Sequence, residues 1–206
     1  MRLPIALVAL LVAPAALAAK PLITFTPPPG EERPLITRLQ AGPQGNAFAF
    51  ELTFDKAPWG ETCRPRCANA TVFVDLDDDK RTGLQLGKQA KETGADLAVT
   101  VQGAAEYLER GARHYLRVKV RQLSTGSAGT GDGEVRIELD HRKDPANLQT
   151  DAETVWILVN MSQLNVPSGR KARVIYHPPG AEALEASTAG MQSGSRRRNR
   201  VFRTNR

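Results

Sequence analysis

Short segments in which apolar and polar residues alternate run through most of the chain and predict β-strands. Eight such segments appear, separated by connections rich in Gly, Pro, Asn and Ser. No long segment repeats its apolar residues at helical spacing. The pattern therefore predicts an all-β protein, an antiparallel β-sandwich of jelly-roll-like type. The predicted strands cover residues 35–39, 47–54, 70–75, 96–102, 114–123, 134–140, 154–161 and 172–176.

Helix is predicted only in short peripheral segments, over residues 84–91, 145–150 and 181–189. One predicted strand is apolar throughout its middle, in the run Val155-Trp156-Ile157-Leu158-Val159. A continuous apolar run of this length is typical of a strand that lies in the core. We therefore expect the indole of Trp156 to be buried.

The two ends of the chain differ from the predicted sandwich, which covers residues 35–180. Arg2, an apolar segment and the small residues Ala16 and Ala18 predict a signal peptide over residues 1–18. We therefore expect a periplasmic or secreted protein with no transmembrane segment after the signal is removed. A proline-rich lead over 19–34 precedes the sandwich, and residues 181–206 are predicted to be a short helix followed by a disordered tail.

The formal net charge of +6 comes largely from arginines in this tail, so the folded part is close to neutral. The tail is expected to contact an anionic surface such as lipopolysaccharide, acidic polysaccharide or nucleic acid. A purely solubilising tail is the alternative interpretation. The arginines concerned are Arg196, Arg197, Arg198, Arg200, Arg203 and Arg206.

The two cysteines, Cys63 and Cys67, lie close together, and export would place them in an oxidising compartment. We predict a disulfide that holds the segment before the strand at 70–75. A redox pair is the alternative, but three residues separate the cysteines rather than two, and no thioredoxin-like pattern surrounds them. Zinc is excluded because it needs two further ligands and the histidines are scattered.

The most distinctive motif begins where the strand at 70–75 ends. Asp75, Asp77 and Asp79 follow at alternate positions, and Asp96 opens the next strand. Alternation along extended backbone predicts that the first three project to one side, with Asp96 entering from the neighbouring strand. Carboxylates without Cys or His suit Ca²⁺. We predict a Ca²⁺ site here, with a solvated acidic turn as the alternative.

The same residues carry a resemblance to known domains. A buried strand ending in Asp75-Leu76-Asp77, then Thr82-Gly83, then Gly94-Ala95-Asp96 resembles the calcium-associated turn of family 9 carbohydrate-binding modules and related DOMON-like β-sandwiches. The resemblance implies a secreted antiparallel sandwich that binds sugar or, in other branches, haem. Sugar-binding members use exposed aromatic residues, and Trp59 is the candidate here because it lies in a loop. The alternative is that Trp59 covers the disulfide.

These observations predict a non-catalytic module that binds a glycan or a cell-envelope component. The alternative is a structural subunit with the same fold that contacts another exported protein. An enzyme is disfavoured, because none of the usual serine, cysteine or zinc hydrolase motifs appears. Paired acids such as Asp77 and Asp96 do not by themselves provide acid–base catalysis.

Overall fold

The computed structural model describes residues 22–63, 66–84, 94–109, 111–123, 134–164 and 171–189. These residues form an all-β fold of two antiparallel sheets, as the alternating pattern predicts. Sheet A has the strand order β1-β2-β3-β9-β8. Its strands are β1 Leu22–Thr24, β2 Ile36–Gln44, β3 Ala47–Phe54, β9 Thr154–Asn160 and β8 Leu148–Asp151.

Sheet B has the strand order β11-β10-β4-β5-β6-β7. Its longest strands, β5 and β6, form a hairpin with continuous pairing from Leu97–Gln122 to Leu108–Gly111. The strands of sheet B are β11 Leu184–Ala189, β10 Lys171–Tyr176, β4 Asn69–Asp75, β5 Leu97–Leu108, β6 Gly111–Gln122 and β7 Glu134–Asp140. A 3₁₀ turn over Met161–Gln163 follows β9.

The main core lies between the two sheets and takes alternate residues from each strand. In β3 the inward side chains are Phe48, Phe50, Leu52 and Phe54, all buried. A second, smaller cluster lies on the outer face of sheet B and contains Leu84, Ala95, Ala98 and Leu123, with Phe73 packed against it. This small cluster fixes the chain on both sides of the acidic motif.

All eight predicted strands are present, but two predicted helices are wrong. Residues 145–147 form a turn that leads into β8, and the predicted helix at 181–189 is replaced by strand β11, which pairs with β10 along its whole length. The helix predicted at 84–91 lies outside the described residues except for Leu84, which bridges to Ala95. The sandwich also extends beyond the predicted 35–180, because β1 and β11 add strands on either side.

The predicted signal peptide at 1–18 lies outside the described residues. So do the arginines of the tail: Arg196, Arg197, Arg198, Arg200, Arg203 and Arg206. Within the described part of the chain, no helix has the length and apolar character needed to cross a membrane.

Candidate functional site

The structure brings three of the four predicted aspartates together. Asp75 ends β4, and Asp96 immediately precedes β5, where Val74 pairs with Leu97. The backbone N–H of Asp96 donates to the carbonyl of Val74 at 2.8 Å, which holds the two strand ends side by side. One carboxylate oxygen from each of Asp75, Asp77 and Asp96 lies within 4.8 Å of the other two. We call these three side chains the Asp cluster.

Asp79 does not join the Asp cluster. Its carboxylate accepts hydrogen bonds from the Nε and Nη2 atoms of Arg81, both at 2.8 Å, and these bonds lower the Asp79 pKa to about 2. The alternation that predicted its position stops at Asp75, because β4 ends there and Asp78 has a positive φ of 55°. Asp77 is placed by the turn, in which its Oδ1 accepts from the backbone N–H of Asp79 at 2.9 Å.

The Asp cluster concentrates negative charge away from water. Asp75 is fully buried and Asp96 nearly so. Burial raises the Asp96 pKa to about 7, with smaller contributions from the charges of Asp77 and Asp75. Burial also raises the pKa of Asp75, against the lowering effect of Arg173. Burial is the largest cause in both groups, so the surroundings of Asp75 and Asp96 favour the uptake of a proton or a cation.

One buried oxygen atom of the Asp cluster has no hydrogen-bond partner among the described residues. Asp75 Oδ2 accepts a 2.6 Å hydrogen bond from Arg173 Nη2, and Asp96 Oδ2 accepts one from the backbone N–H of Leu76 at 2.8 Å. Asp75 Oδ1 is buried and has no hydrogen-bond partner among the described residues. A buried carboxylate oxygen without a partner is costly unless a proton or a cation neutralises it. The donor set of hard oxygens, without Cys or His, fits Ca²⁺.

Gly83 closes the turn at a position where no other residue fits. It has a φ of +63°, and a Cβ added there would lie 2.4 Å from the carbonyl oxygen of Ala95. That carbonyl accepts the 2.7 Å hydrogen bond from the N–H of Leu84 that joins the two arms of the turn. The close approach therefore depends on glycine.

Replacing Gly83 with alanine is expected to destabilise the protein more than the same change at Gly45. Both glycines have positive φ, which costs alanine about 1–2 kcal/mol, but Gly45 has no atom within 4 Å of the added Cβ. Chemical denaturation measures the loss of unfolding free energy in each variant. The loss in Gly83→Ala minus the loss in Gly45→Ala gives the cost of the steric clash. Equal losses would show that the turn relaxes around the new methyl group.

In EDTA, the free energy of unfolding is expected to fall as the pH rises through the interval from 3.8 to about 7. Folding raises the Asp96 pKa over that range, so the native state keeps a proton that the unfolded state has lost. The stabilisation that this proton provides is complete below the pKa of Asp96 in the unfolded state. It disappears as the pH rises past the pKa of Asp96 in the native state. Urea denaturation across this interval measures it, and Asp96→Asn should flatten the profile. Identical profiles for the two proteins would contradict the assignment.

The disulfide is formed between Cys63 and Cys67, as predicted. Trp59 lies beside it and is partly buried. Its indole N–H donates to Thr150 Oγ1 at 3.3 Å, and its ring packs against His141 with centroids 4.4 Å apart. Trp59 also packs against the main core. It anchors the loop to the sandwich, and its predicted role in stacking on a sugar stays a prediction.

Trp156 lies on the surface of sheet A, so the prediction that its indole is buried is wrong. In β9 the residues Val155, Ile157 and Val159 are buried, whereas the Trp156 side chain points outward and is 39% exposed. Thr154, Leu158 and Asn160 have the same parity as Trp156; the first and last are polar, and Leu158 is partly buried. Their parity is the sequence signal that identifies the outer face.

Trp156 lines a shallow cleft on the outer face of sheet A with a volume of about 330 Å³. Across the sheet it lies between Glu51 of β3 and Gln149 of β8. We call this surface the Trp156 cleft; the polar side chains that line it are those of Gln44, Glu51, Asn147 and Gln149.

Comparison with known proteins gives no match: no protein-family model, no curated protein and no solved structure matches the chain. The resemblance to family 9 carbohydrate-binding modules and DOMON-like domains therefore stays a prediction.

Proposed function

We propose that this protein is an exported, non-catalytic binding module that holds a glycan in the Trp156 cleft, with Ca²⁺ at the Asp cluster stabilising the fold. The observation that carries the glycan proposal is the exposed indole of Trp156 on a sheet face, flanked by amide and carboxylate groups. An aromatic face stacks on the apolar face of a sugar ring, and the neighbouring amides and carboxylate bond its hydroxyl groups.

Two features support a binding role rather than hydrolysis. Glu51 is the one carboxylate among the described residues that line the Trp156 cleft, whereas most glycosidases use a pair. The Asp cluster lies where strands β4 and β5 of sheet B end and begin, and the cleft lies on sheet A. A sugar in the cleft is therefore not brought to the buried carboxylates.

Ca²⁺ has a structural role in this proposal. Asp75, Asp77 and Asp96 would hold it, and it would neutralise the charge that Arg173 balances only in part. The support is the orphan Asp75 Oδ1 within a group of three close carboxylates. The ion would join the end of β4 to the start of β5, and it would stabilise sheet B without touching the glycan.

The test is binding of the full chain, with its disulfide intact, to an array of neutral and acidic glycans, followed by calorimetry with the best ligand. Trp156→Ala is expected to weaken that binding by at least about tenfold, because an aromatic anchor contributes about 2 kcal/mol or more. Trp156→Phe should retain part of the affinity.

Val135→Ala provides the matched control for this experiment, because Val135 is 41% exposed on sheet B and lies outside the cleft. Its affinity for the glycan should stay unchanged. Glycan binding that survives Trp156→Ala would refute the assigned site. An array with no binding at all would favour the alternative, a subunit that contacts another exported protein.

A further inference from the structure

The β5–β6 hairpin continues well past the strands that cover it. In β5 the core residues Val99 and Val101 are followed on the same face by Gly103, Ala105 and Tyr107. The β5 side chains in this part of the hairpin are partly buried or exposed. Tyr107, near the tip, is 80% exposed. The inner face of the extension is therefore lined by small residues and ends in an exposed aromatic ring.

Residues 66–69, which run from the end of the disulfide loop into β4, face this extension and form a cleft with it. The N–H of Gly103 donates to the carbonyl of Ala68 at 2.9 Å. A Cβ at Gly103 would lie 2.7 Å from the Cβ of Cys67, so glycine is needed for the close approach. Between the two segments lies a cleft of about 380 Å³, which we call the hairpin cleft.

The groups that line the hairpin cleft suit an anion. They include the guanidinium groups of Arg33 and Arg66 and the imidazole of His114. No carboxylate occurs among its described lining residues. Arg66 forms an ion pair with Glu32 at the rim, where both side chains are more than half exposed, so the pair is weak and open to exchange.

His114 adds a second, independent observation. Its Nε2 is shielded from solvent and has no hydrogen-bond partner among the described residues. For a ligand oxygen to bond this nitrogen, the imidazole must turn toward the cleft, and that bond would then satisfy an atom that has no other partner among the described residues. Guanidinium and imidazole groups are strong partners for carboxylate and phosphate oxygens.

We propose that the hairpin cleft binds the anionic group of a charged sugar, either a carboxylate or a phosphate, with the Tyr107 ring against the sugar. Arg33 and His114 hold the anion, and Tyr107 provides the contact that distinguishes a sugar from a free ion. This site is separate from the Trp156 cleft and does not rest on glycan binding there.

The test is an NMR titration of the full chain with four probes: glucuronate, glucose 6-phosphate, glucose and inorganic phosphate. At least one charged sugar is expected to bind about tenfold more tightly than glucose and than free phosphate, with shifts at the His114 and Tyr107 amides. Arg33→Gln and Tyr107→Ala should each abolish that preference.

Arg38→Gln is the matched control, because Arg38 is an exposed arginine of β2 outside the cleft, and it should leave binding unchanged. Trp156→Ala should also leave it unchanged, which separates this site from the Trp156 cleft. The proposal is overturned if glucose binds as tightly as both charged sugars. It is also overturned if free phosphate binds as tightly as glucose 6-phosphate and glucuronate binds no more tightly than glucose. Unchanged affinity of Arg33→Gln for the charged sugars would overturn it too.

Discussion

Replacing Arg173 with methionine is expected to lower the free energy of unfolding by about 3–5 kcal/mol, the usual cost of removing one partner of a buried ion pair. Both side chains of the pair are almost inaccessible to solvent, and Arg173 Nη2 lies 2.6 Å from Asp75 Oδ2. Arg173 Nη1 also donates to Glu185 Oε2 at 3.2 Å. Methionine keeps much of the volume but leaves Asp75 buried without its cation. Urea denaturation in EDTA measures the loss.

A double variant separates the charge effect from a packing defect. Asp75→Asn combined with Arg173→Met removes both charges, and it should recover a large part of the stability lost in Arg173→Met alone. If the two single losses simply add in the double variant, the ion pair is not the cause. A loss below about 1 kcal/mol for Arg173→Met would place this pair with weak surface pairs.

Adding Ca²⁺ is expected to raise the thermal stability of the full chain in a saturable way. A ligand that binds only the native state contributes about 2.7 kcal/mol at a concentration one hundred times its Kd. For a protein of this size that corresponds to roughly 5–10 °C in Tm. Differential scanning fluorimetry across a Ca²⁺ titration that starts from EDTA measures the shift.

Asp77→Asn and Asp96→Asn should each abolish most of this Ca²⁺ response, because each removes a charged ligand from the Asp cluster. Asp79→Asn is the matched control, since Asp79 belongs to the same turn but bonds Arg81. It should keep the full shift. If millimolar Ca²⁺ does not shift the Tm, the Asp cluster is neutralised by protonation and Arg173 and not by the metal. If Asp79→Asn loses the Ca²⁺ response as fully as the other two variants, the experiment measures the stability of the turn rather than metal ligation.

The sequence predicted the strands well where one face is buried, because alternation reports burial directly. It missed the short strand β1, and it missed β8 and β11, whose sequences LQTD and LEASTA carry little apolar alternation and favour other structures. Both β8 and β11 lie at sheet edges, where pairing with β9 and β10 decides the conformation. Local propensity does not contain that information.

The surroundings of the two tryptophans could not be predicted from the sequence, for a physical reason. An apolar run such as Val155 to Val159 does not reveal which face is buried, but the β-branched residues Val155, Ile157 and Val159 share one parity. The polar residues Thr154 and Asn160 share the other with Trp156. For Trp59, a loop position suggested exposure, and the contacts with His141 and Thr150 are long-range features that sequence does not show.

The Asp cluster was predicted in its essentials, since strand pairing brings Asp75 and Asp96 together. The role of Arg173 was not, because it lies 98 residues from Asp75 and reaches it only through the pairing of β10 with β4. Sequence patterns show which acids gather at a strand end, but not which distant cation joins them.

The most direct test of the Trp156 cleft uses the intrinsic fluorescence of the two tryptophans, measured with the best glycan from the array. Stacking of a sugar on Trp156 should shift the emission to shorter wavelength and reduce quenching by acrylamide, and Trp59→Phe should keep this response. Trp156→Phe should remove it, although some binding remains. A response that persists in Trp156→Phe and disappears in Trp59→Phe would contradict the account and move the glycan to the disulfide loop.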